Sequence, residues 1–227
     1  MEQQAKIFLS EERGVTQSAW MRSYNTFNFG KYTTKHKTPV DKLYVLNDDT
    51  LAGGKNMQMN AEEDSLLILL PIAGAIDFKD SNNSNTTIIA GQILTVALPA
   101  NDHFTITNPY AGALVNFLQA WIKTPGIHTS ACTNEHSFDI NSNKNSFLKK
   151  QLSAGVTLHI GKFTGRQKAA INFLHNNLTC FAFIIEGAFE LEERLLHARD
   201  GLALWHQKSI DMEALSNDAI ILVLEMS

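Results

Sequence analysis

Residues 66–96, LLILLPIAGAIDFKDSNNSNTTIIAGQILTV, contain four short apolar runs separated by turn-forming residues. The runs are residues 66–70, 75–78, 87–89 and 93–96. Runs this short, bounded by Gly, Asn, Asp and Pro, are typical of β-strands joined by turns rather than of helices. The stretch therefore predicts an all-β domain, built as a sandwich or a barrel.

The same pattern continues on both sides of this stretch and then begins again in the second half of the chain. Nearby strands are predicted at residues 43–46, 103–107 and 115–122. A second set is predicted at residues 155–160, 170–173, 180–185, 188–191, 202–205 and 219–224. In each set a strong apolar strand ends at a turn glycine, Gly74 in the first and Gly187 in the second. This weak repetition favours two similar β-domains.

A polar segment from Thr124 to Ser146 separates the two sets and is rich in Asn, Ser, Thr and His. Such a composition is typical of a surface linker, and a short helix is predicted just after it, at residues 147–150. We place the boundary near residue 123. The predicted domains are therefore residues 1–123 and residues 124–227.

The overall composition is that of an ordinary globular protein, with 44% hydrophobic and 19% charged residues. A net charge of −4 argues against a nucleic-acid partner, which would require a basic surface. The N-terminal sequence lacks a signal-peptide core, and the longest apolar run, interrupted by Pro71, is too short to cross a membrane. We expect a cytoplasmic protein without a membrane partner, whose two cysteines, Cys132 and Cys180, are free buried thiols.

The acidic segment that precedes the first apolar run, Asn60-Ala61-Glu62-Glu63-Asp64, is either a site or a solvated turn. Glu62 and Asp64 could act as an acid/base pair if both were buried on one side of a strand. Motifs for other kinds of site are absent from the sequence, which has no phosphate-binding loop, no Gly-x-Ser-x-Gly nucleophile elbow and no His-x-His pair. His159 and His175 are the histidines placed best for a role in the second half.

Several motifs spread over nearly the whole chain resemble one known family. The first motif, W-x-x-S-Y-N-T-F-N-F-x-x-Y, begins at Trp20, and the second, L-x-V-L-N-D-D, begins at Leu43. Further matches are Ala90-Gly91-Gln92, Asn108-Pro109, Trp121-Ile122 and the run from Asp200 to Trp205. Together they resemble the pirin family, bicupin proteins that include bacterial quercetin 2,3-dioxygenase-like members.

The resemblance implies a bicupin, in which two double-stranded β-helix (jelly-roll) cupin barrels lie face to face. It also implies the place of a metal site. Family members with that site use a His-x-His pair on one strand, and a third His with a Glu two residues later on another strand. These residues hold an Fe-type ion inside the N-terminal barrel, where imidazole and carboxylate ligands suit such an ion.

The family ligands are absent at the positions found by counting without gaps. The His-x-His pair falls on Asn60 and Glu62, and the third His and the Glu fall on Phe104 and Ile106. Phe and Ile cannot coordinate a metal. Strand alternation predicts that Phe104 and Ile106 point into the barrel, which places His103 on the outer or rim side.

We therefore expect a non-catalytic protein that has no cofactor and a metal-free N-terminal site, and that binds a small molecule or a protein partner. The expected pocket consists of the four counted positions with nearby Met57, Met59, Asp64 and His103. One alternative is a quercetinase-like, metal-dependent dioxygenase with an atypical site that includes Glu62 and His103. Another is an interaction protein whose cavity is filled by Phe104, Ile106, Met57 and Met59. The oligomeric state is not indicated, and a monomer is compatible with the sequence.

Overall fold

The computed structural model describes residues 5–126, 132–173 and 178–227, so His175 lies outside the described residues. Apart from one 3₁₀ turn at Ser10–Glu12, the regular structure in these ranges is β-strand, and no helix in them is long and apolar enough to cross a membrane. The strands are β1 (Ala5–Phe8), β2 (Gly14–Gln17), β3 (Met21–Asn25), β4 (Leu43–Leu51), β5 (Asn56–Asn60), β6 (Ser65–Ala73), β7 (Ala75–Lys79), β8 (Asn85–Ile89), β9 (Gln92–Leu98), β10 (His103–Thr107), β11 (Val115–Lys123), β12 (Cys132–Ser137), β13 (Phe147–Ser153), β14 (Val156–Phe163), β15 (Lys168–Asn172), β16 (Leu178–Glu186), β17 (Ala188–Leu191), β18 (Arg194–His197), β19 (Gly201–Gln207), β20 (Ser209–Ala214) and β21 (Ala219–Met226).

The chain divides into two compact units, residues 14–138 and residues 1–13 with 139–227. In the first unit, a seven-stranded sheet of order β12-β9-β6-β11-β4-β3-β2 and a four-stranded sheet of order β5-β10-β7-β8 contribute to one apolar core. In the second, the sheets have the orders β1-β19-β16-β21-β14-β13 and β15-β20-β17-β18 around a core of their own. Antiparallel sheets around one core per unit confirm the predicted all-β bicupin fold.

The glycine shared by the two predicted strand sets has the same role in both units. Gly74 joins β6 to β7 with a φ of +84°, and Gly187 joins β16 to β17 with a φ of +78°. A Cβ atom at Gly74 would lie 2.8 Å from Val115 Cγ1, and one at Gly187 would lie 2.8 Å from Ala219 Cβ. Both the backbone conformation and the close packing therefore require glycine.

The unit boundary differs from the predicted division at residue 123, because two segments belong to the other unit. β12 pairs along its length with β9, from Cys132↔Ala97 to Ser137↔Gln92, so the expected linker carries an edge strand of the first unit. At the N-terminus, β1 pairs with β19 of the second unit. Residues of β12 are all exposed or half-buried, so this strand shows no apolar alternation in the sequence.

Two further expectations for this region are also corrected. Residues 147–150, predicted as a helix, begin strand β13, which lies at the edge of its sheet beside β14. The two cysteines are free, as expected, but only Cys180 is buried, whereas Cys132 is exposed on β12. Edge strands have a neighbour on one side only, which explains why polar residues are tolerated in both β12 and β13.

Replacement of Phe8 by alanine is expected to lower the free energy of unfolding of the second unit by about 3 kcal/mol. The Phe8 side chain is 1% exposed, and its ring centre lies 5.6 Å from that of Phe181 on β16. Ile7→Ala is the matched control, because Ile7 is the preceding residue and is 39% exposed. Urea denaturation of the two variants measures the difference. Equal losses would contradict the assignment of β1 to the core of this unit.

Candidate functional site

Strands β5 and β10 pair so that four side chains point to the interior of the first unit. The register places Met57 opposite Ile106 and Met59 opposite Phe104. Phe104 and Ile106 are 1% and 0% exposed and belong to the apolar core, as strand alternation predicted. Met57 and Met59 are half-buried and pack against the same core. These four residues are the inward-facing set on the two strands.

Asn60 and Glu62 do not lie at the inward-facing positions of the His-x-His pair to which counting without gaps had assigned them. Asn60 ends β5, is exposed, and lies opposite His103, which is also exposed. Glu62 is exposed beyond the end of the strand. The count crosses the turn between β4 and β5, and a displacement of three residues exchanges the inner and outer faces of a strand. The inward pair on β5 is therefore Met57 and Met59, while Asn60 and Glu62 lie at a cavity rim.

The rest of the acidic segment forms a turn with structural contacts rather than a carboxylate pair. Asp64 is half-buried and accepts hydrogen bonds from the backbone amides of Ala100 (2.9 Å) and Gly126 (3.1 Å). Glu63 is exposed and forms an ion pair of 2.6 Å with Lys123. Because Glu62 is exposed and Asp64 is half-buried and bound to two backbone amides, these two residues do not form the buried carboxylate pair that acid/base chemistry would need.

A cavity of about 650 Å³ opens in the first unit beside the two methionines. Its apolar wall includes four aromatic and three thioether side chains, from Trp20, Phe29, Tyr44, Trp121, Met21, Met57 and Met59. Polar side chains lie around it, among them Asn56, Gln58, Asn60 and Glu62. The size and the largely apolar lining are those of a small-molecule site.

Aromatic rings stack behind the cavity and give it a well-packed wall. The Trp121 ring centre lies 5.5 Å from that of Phe104 and 6.1 Å from that of Tyr44, the second contact being edge-on. Phe104 in turn lies 5.4 Å from Phe78. Tilted and edge-on pairs at these distances are favourable aromatic geometries. The wall is therefore built from mutually packed rings.

The polar groups of this wall already have partners within the protein. The indole nitrogen of Trp121 donates a hydrogen bond of 2.8 Å to Gln119 Oε1, and Gln119 Nε2 donates to Asp49 Oδ2. The Tyr44 hydroxyl lies 2.6 Å from Ser65 Oγ. Because Ser65 donates its own proton to the backbone carbonyl of Glu63, the Tyr44 hydroxyl is the donor in this pair.

Burial changes the titration of two groups near the wall. Desolvation raises the pKa of Asp49 to about 6, against hydrogen bonds from Ser23 and Gln119 that act in the opposite direction. Desolvation also raises the pKa of Tyr44, so its phenol stays protonated at neutral pH. Sequence reasoning missed Asp49 and Gln119 as site residues. The available signal was a charged or amide residue inside the apolar runs VLNDDTL and NFLQAWI.

The four inward-facing residues of β5 and β10 do not fit the Fe-type ion that the family resemblance implies. At the inward positions of β5 and β10 the side chains are two thioethers, a phenyl ring and an aliphatic chain. Hard or borderline ions of this kind need imidazole or carboxylate ligands. Glu62 and His103 are exposed, and no cluster of three His, Cys, Asp or Glu residues suited to a metal occurs in the parts of the chain that the structure describes.

The second unit buries an ionisable pair between strands β14 and β21. His159 Nε2 lies 2.9 Å from Glu225 Oε2, and both side chains are buried. Burial lowers the pKa of His159, although the hydrogen bond to Glu225 opposes this effect. Cys180, which lies opposite Glu225 in the sheet, has a pKa raised by burial to about 12 and is not a nucleophile. The pair of His159 and Glu225 is therefore assigned a structural role, joining β14 to β21.

Comparisons with known proteins agree with the architecture. Residues 134–226 match the family described as the quercetinase C-terminal cupin domain. A putative quercetin 2,3-dioxygenase of Pasteurella multocida is 22% identical, over 96% of this chain and 97% of its own length. The quercetin 2,3-dioxygenase of Escherichia coli K12 is 20% identical, over 94% and 95%. The crystal structure of the bacterial pirin YhhW of E. coli with nickel(II) superposes with a TM-score of 0.85 at 16% identity, over 98% and 99% of the two chains.

Proposed function

Because this chain is a pirin-like bicupin of the quercetinase-related cupins, we propose that its first unit binds a flat, apolar small molecule without a transition metal. One observation carries the proposal. The inward positions of β5 and β10 hold Met57, Met59, Phe104 and Ile106, and the two methionines line a cavity of about 650 Å³. Binding, with a regulatory or sequestering role, is therefore favoured over catalysis.

The lining supports a particular class of ligand. Rings such as Phe29, Tyr44 and Trp121 offer flat apolar faces, and the methionine side chains adapt their shape and make favourable contacts with aromatic rings. The surrounding amides of Asn56, Gln58 and Asn60 can exchange hydrogen bonds with hydroxyl groups. A polyhydroxylated flavonoid combines both features, and the names of the two relatives make quercetin the first compound to test.

Quercetin is expected to bind this protein in a saturable manner, and Met59→Trp is expected to weaken binding at least about tenfold by filling the cavity. Lys79→Trp is the control, because Lys79 is exposed on β7 of the same sheet and does not line the cavity. Isothermal titration calorimetry measures both affinities. Equal weakening by the two substitutions, or no binding by the unmodified protein, would contradict the proposal.

The alternative function is a metal-dependent dioxygenase, which the names of the relatives favour. An oxygen electrode distinguishes the two functions when quercetin is added with Fe²⁺, Ni²⁺, Mn²⁺ or Cu²⁺ in turn. The binding function predicts the same oxygen uptake as in a solution without protein. Uptake that depends on both the protein and one metal, and that disappears in Met59→Trp, would establish the dioxygenase instead.

A further inference from the structure

We infer that Gln119, held in place by Asp49, is a positioning residue that fixes the orientation of the Trp121 ring and reserves that ring for stacking. The part of this inference that concerns ligands rests on the proposed function, whereas the part that concerns the ring does not. The residues lie on two neighbouring strands, Asp49 on β4 and the other two on β11. All three are buried, and Trp121 lines the cavity.

The hydrogen bonds determine the orientation of the Gln119 amide. Its oxygen must face Trp121, because an indole N–H can only donate, and the bond is 2.8 Å long. Its nitrogen must face Asp49, because an ionised carboxylate can only accept. With a donor on one side and an acceptor on the other, the Gln119 amide can form both hydrogen bonds in only one orientation. Gln119 therefore links Asp49 to the indole ring, and the position of Asp49 determines where the ring is held.

Asp49 is itself fixed by the sheet. It lies opposite Ser23 on β3 and opposite Phe117 on β11, and Ser23 and Gln119 both act to lower its pKa. Its Oδ2 atom accepts a hydrogen bond from Gln119, whereas its Oδ1 atom is buried without a hydrogen-bond partner among the described residues. Because an apolar residue would fill this position at lower cost, Asp49 is best explained by the hydrogen bond through which it orients Gln119. That bond fixes part of the wall of the cavity.

This arrangement has a consequence for ligand choice. Since Gln119 takes up the indole N–H, Trp121 presents an apolar ring without a free donor to the cavity. The Tyr44 hydroxyl is likewise directed to Ser65. The wall formed by Trp121 and Tyr44 therefore selects ligands by the fit of flat rings, and hydrogen bonding is left to the surrounding amides, Glu62 and the exposed indole of Trp20.

The test compares all variants in a full-length background with Trp20→Phe and Trp205→Phe, in which Trp121 is the only tryptophan and phenylalanine keeps an aromatic ring at position 20 of the cavity lining. Gln119→Leu removes both hydrogen bonds at similar volume, and Gln119→Glu sets two carboxylates against each other. Each is expected to shift the emission maximum of Trp121 and to weaken quercetin binding about tenfold. Adding Asp49→Asn to Gln119→Glu exchanges amide and carboxylate, so that the amide at position 49 donates to the carboxylate at position 119, which still accepts from Trp121; this variant is expected to recover both properties.

Recovery of emission and affinity in the double variant distinguishes a positioning role of Gln119 from a role in packing alone. If the double variant emits and binds like Gln119→Glu alone, or if Gln119→Leu leaves both the emission and the affinity unchanged, the inference is wrong. The emission measurement needs no ligand. A protein that fails to bind quercetin but shows the loss and recovery of the Trp121 emission would contradict the proposed function and support the positioning role. Circular dichroism on each variant verifies that the sheets are intact.

Discussion

A variant with Met57→His, Met59→His, Phe104→His and Ile106→Glu is expected to bind one Ni²⁺ per chain with a dissociation constant of about 1 μM or tighter. The unmodified protein is expected to bind none at this place. Residues 57 and 59 share one face of β5 and lie directly opposite residues 106 and 104 of β10. Opposed residues on antiparallel strands have Cβ atoms about 5 Å apart, so four donors there can converge on one ion.

The same variant is expected to show a large dependence of stability on the metal. Burying polar groups in place of Phe104 and Ile106 destabilises the protein when no metal is bound. Nickel at about a thousand times the dissociation constant then stabilises the folded state by about 4 kcal/mol. Calorimetry gives the stoichiometry, and thermal unfolding with and without Ni²⁺ gives the stabilisation.

The control variant moves the first histidine pair to the positions found by counting without gaps. It carries Asn60→His and Glu62→His together with Phe104→His and Ile106→Glu. Because Asn60 and Glu62 are exposed and the other two positions are buried, these four groups cannot surround one ion. Binding by the control that equals or exceeds binding by the first variant would overturn the assignment of Met57 and Met59 as the inward pair.

The sequence was sufficient for the fold because the core strands have strong and regular signals. Runs such as LLILL are apolar on every residue, and Gly74 and Gly187 mark equivalent turns that only glycine can adopt without strain. The orientation of β10 could also be predicted, because Phe104 and Ile106 alternate with less apolar neighbours. Local pattern alone decides these features.

The register of β5 could not be predicted, because its sequence NMQMN lies after a turn whose length no local rule fixes. The edge strands β1 and β12 were not predicted for a related reason. Their partners, β19 and β9, are chosen by the tertiary structure and not by any pattern within the strands. Asp49 was missed because a charged residue in the middle of an apolar run gives no indication of its hydrogen-bond partners.

The two units place buried ionisable groups in different surroundings, which suggests different roles. In the first unit Asp49 connects through Gln119 to the wall of a cavity. In the second, His159 and Glu225 satisfy each other, and the Phe147 ring packs edge-on against His159 at 6.3 Å. The first arrangement adjoins the cavity, whereas the second joins strands β14 and β21. A perturbation of the second pair should therefore affect stability and leave the cavity unchanged.

Replacement of His159 by leucine is expected to lower the free energy of unfolding of the second unit by about 4 kcal/mol at about pH 8. The substitution leaves the Glu225 carboxylate buried without its imidazole partner. Replacement of both residues, as His159→Leu with Glu225→Leu, is expected to recover most of the loss, because two apolar side chains need no hydrogen bonds. His197→Leu is the control, since His197 is exposed, and a change below about 0.5 kcal/mol is expected.

The pH dependence of this effect has a definite sign. Burial lowers the pKa of His159 below its ordinary value of 6.5, so below that pH the unfolded chain binds more protons than the folded one. The unmodified protein therefore loses stability from this residue as the pH falls below 6.5, and His159→Leu lacks that contribution. Asp49 acts in the opposite direction, because its raised pKa of about 6 favours proton binding by the folded state. Both proteins contain Asp49, so subtracting their stabilities removes its contribution and leaves the effect of His159 together with that of the Glu225 carboxylate it pairs with.

Urea denaturation at a series of pH values, followed separately for the two units, measures the difference. The stability advantage of the unmodified protein over His159→Leu should be nearly constant from about pH 8 to about pH 6.5 and should decrease as the pH falls below 6.5, since only the unmodified protein has a buried imidazole that resists protonation. An advantage that grows on acidification would mean that the imidazole is charged in the folded protein. A double variant as unstable as His159→Leu would mean that packing around β14 and β21, and not the pairing of His159 with Glu225, stabilises this core.

Quercetin affinity should be the same in all of these variants, because the cavity is lined by residues of the first unit.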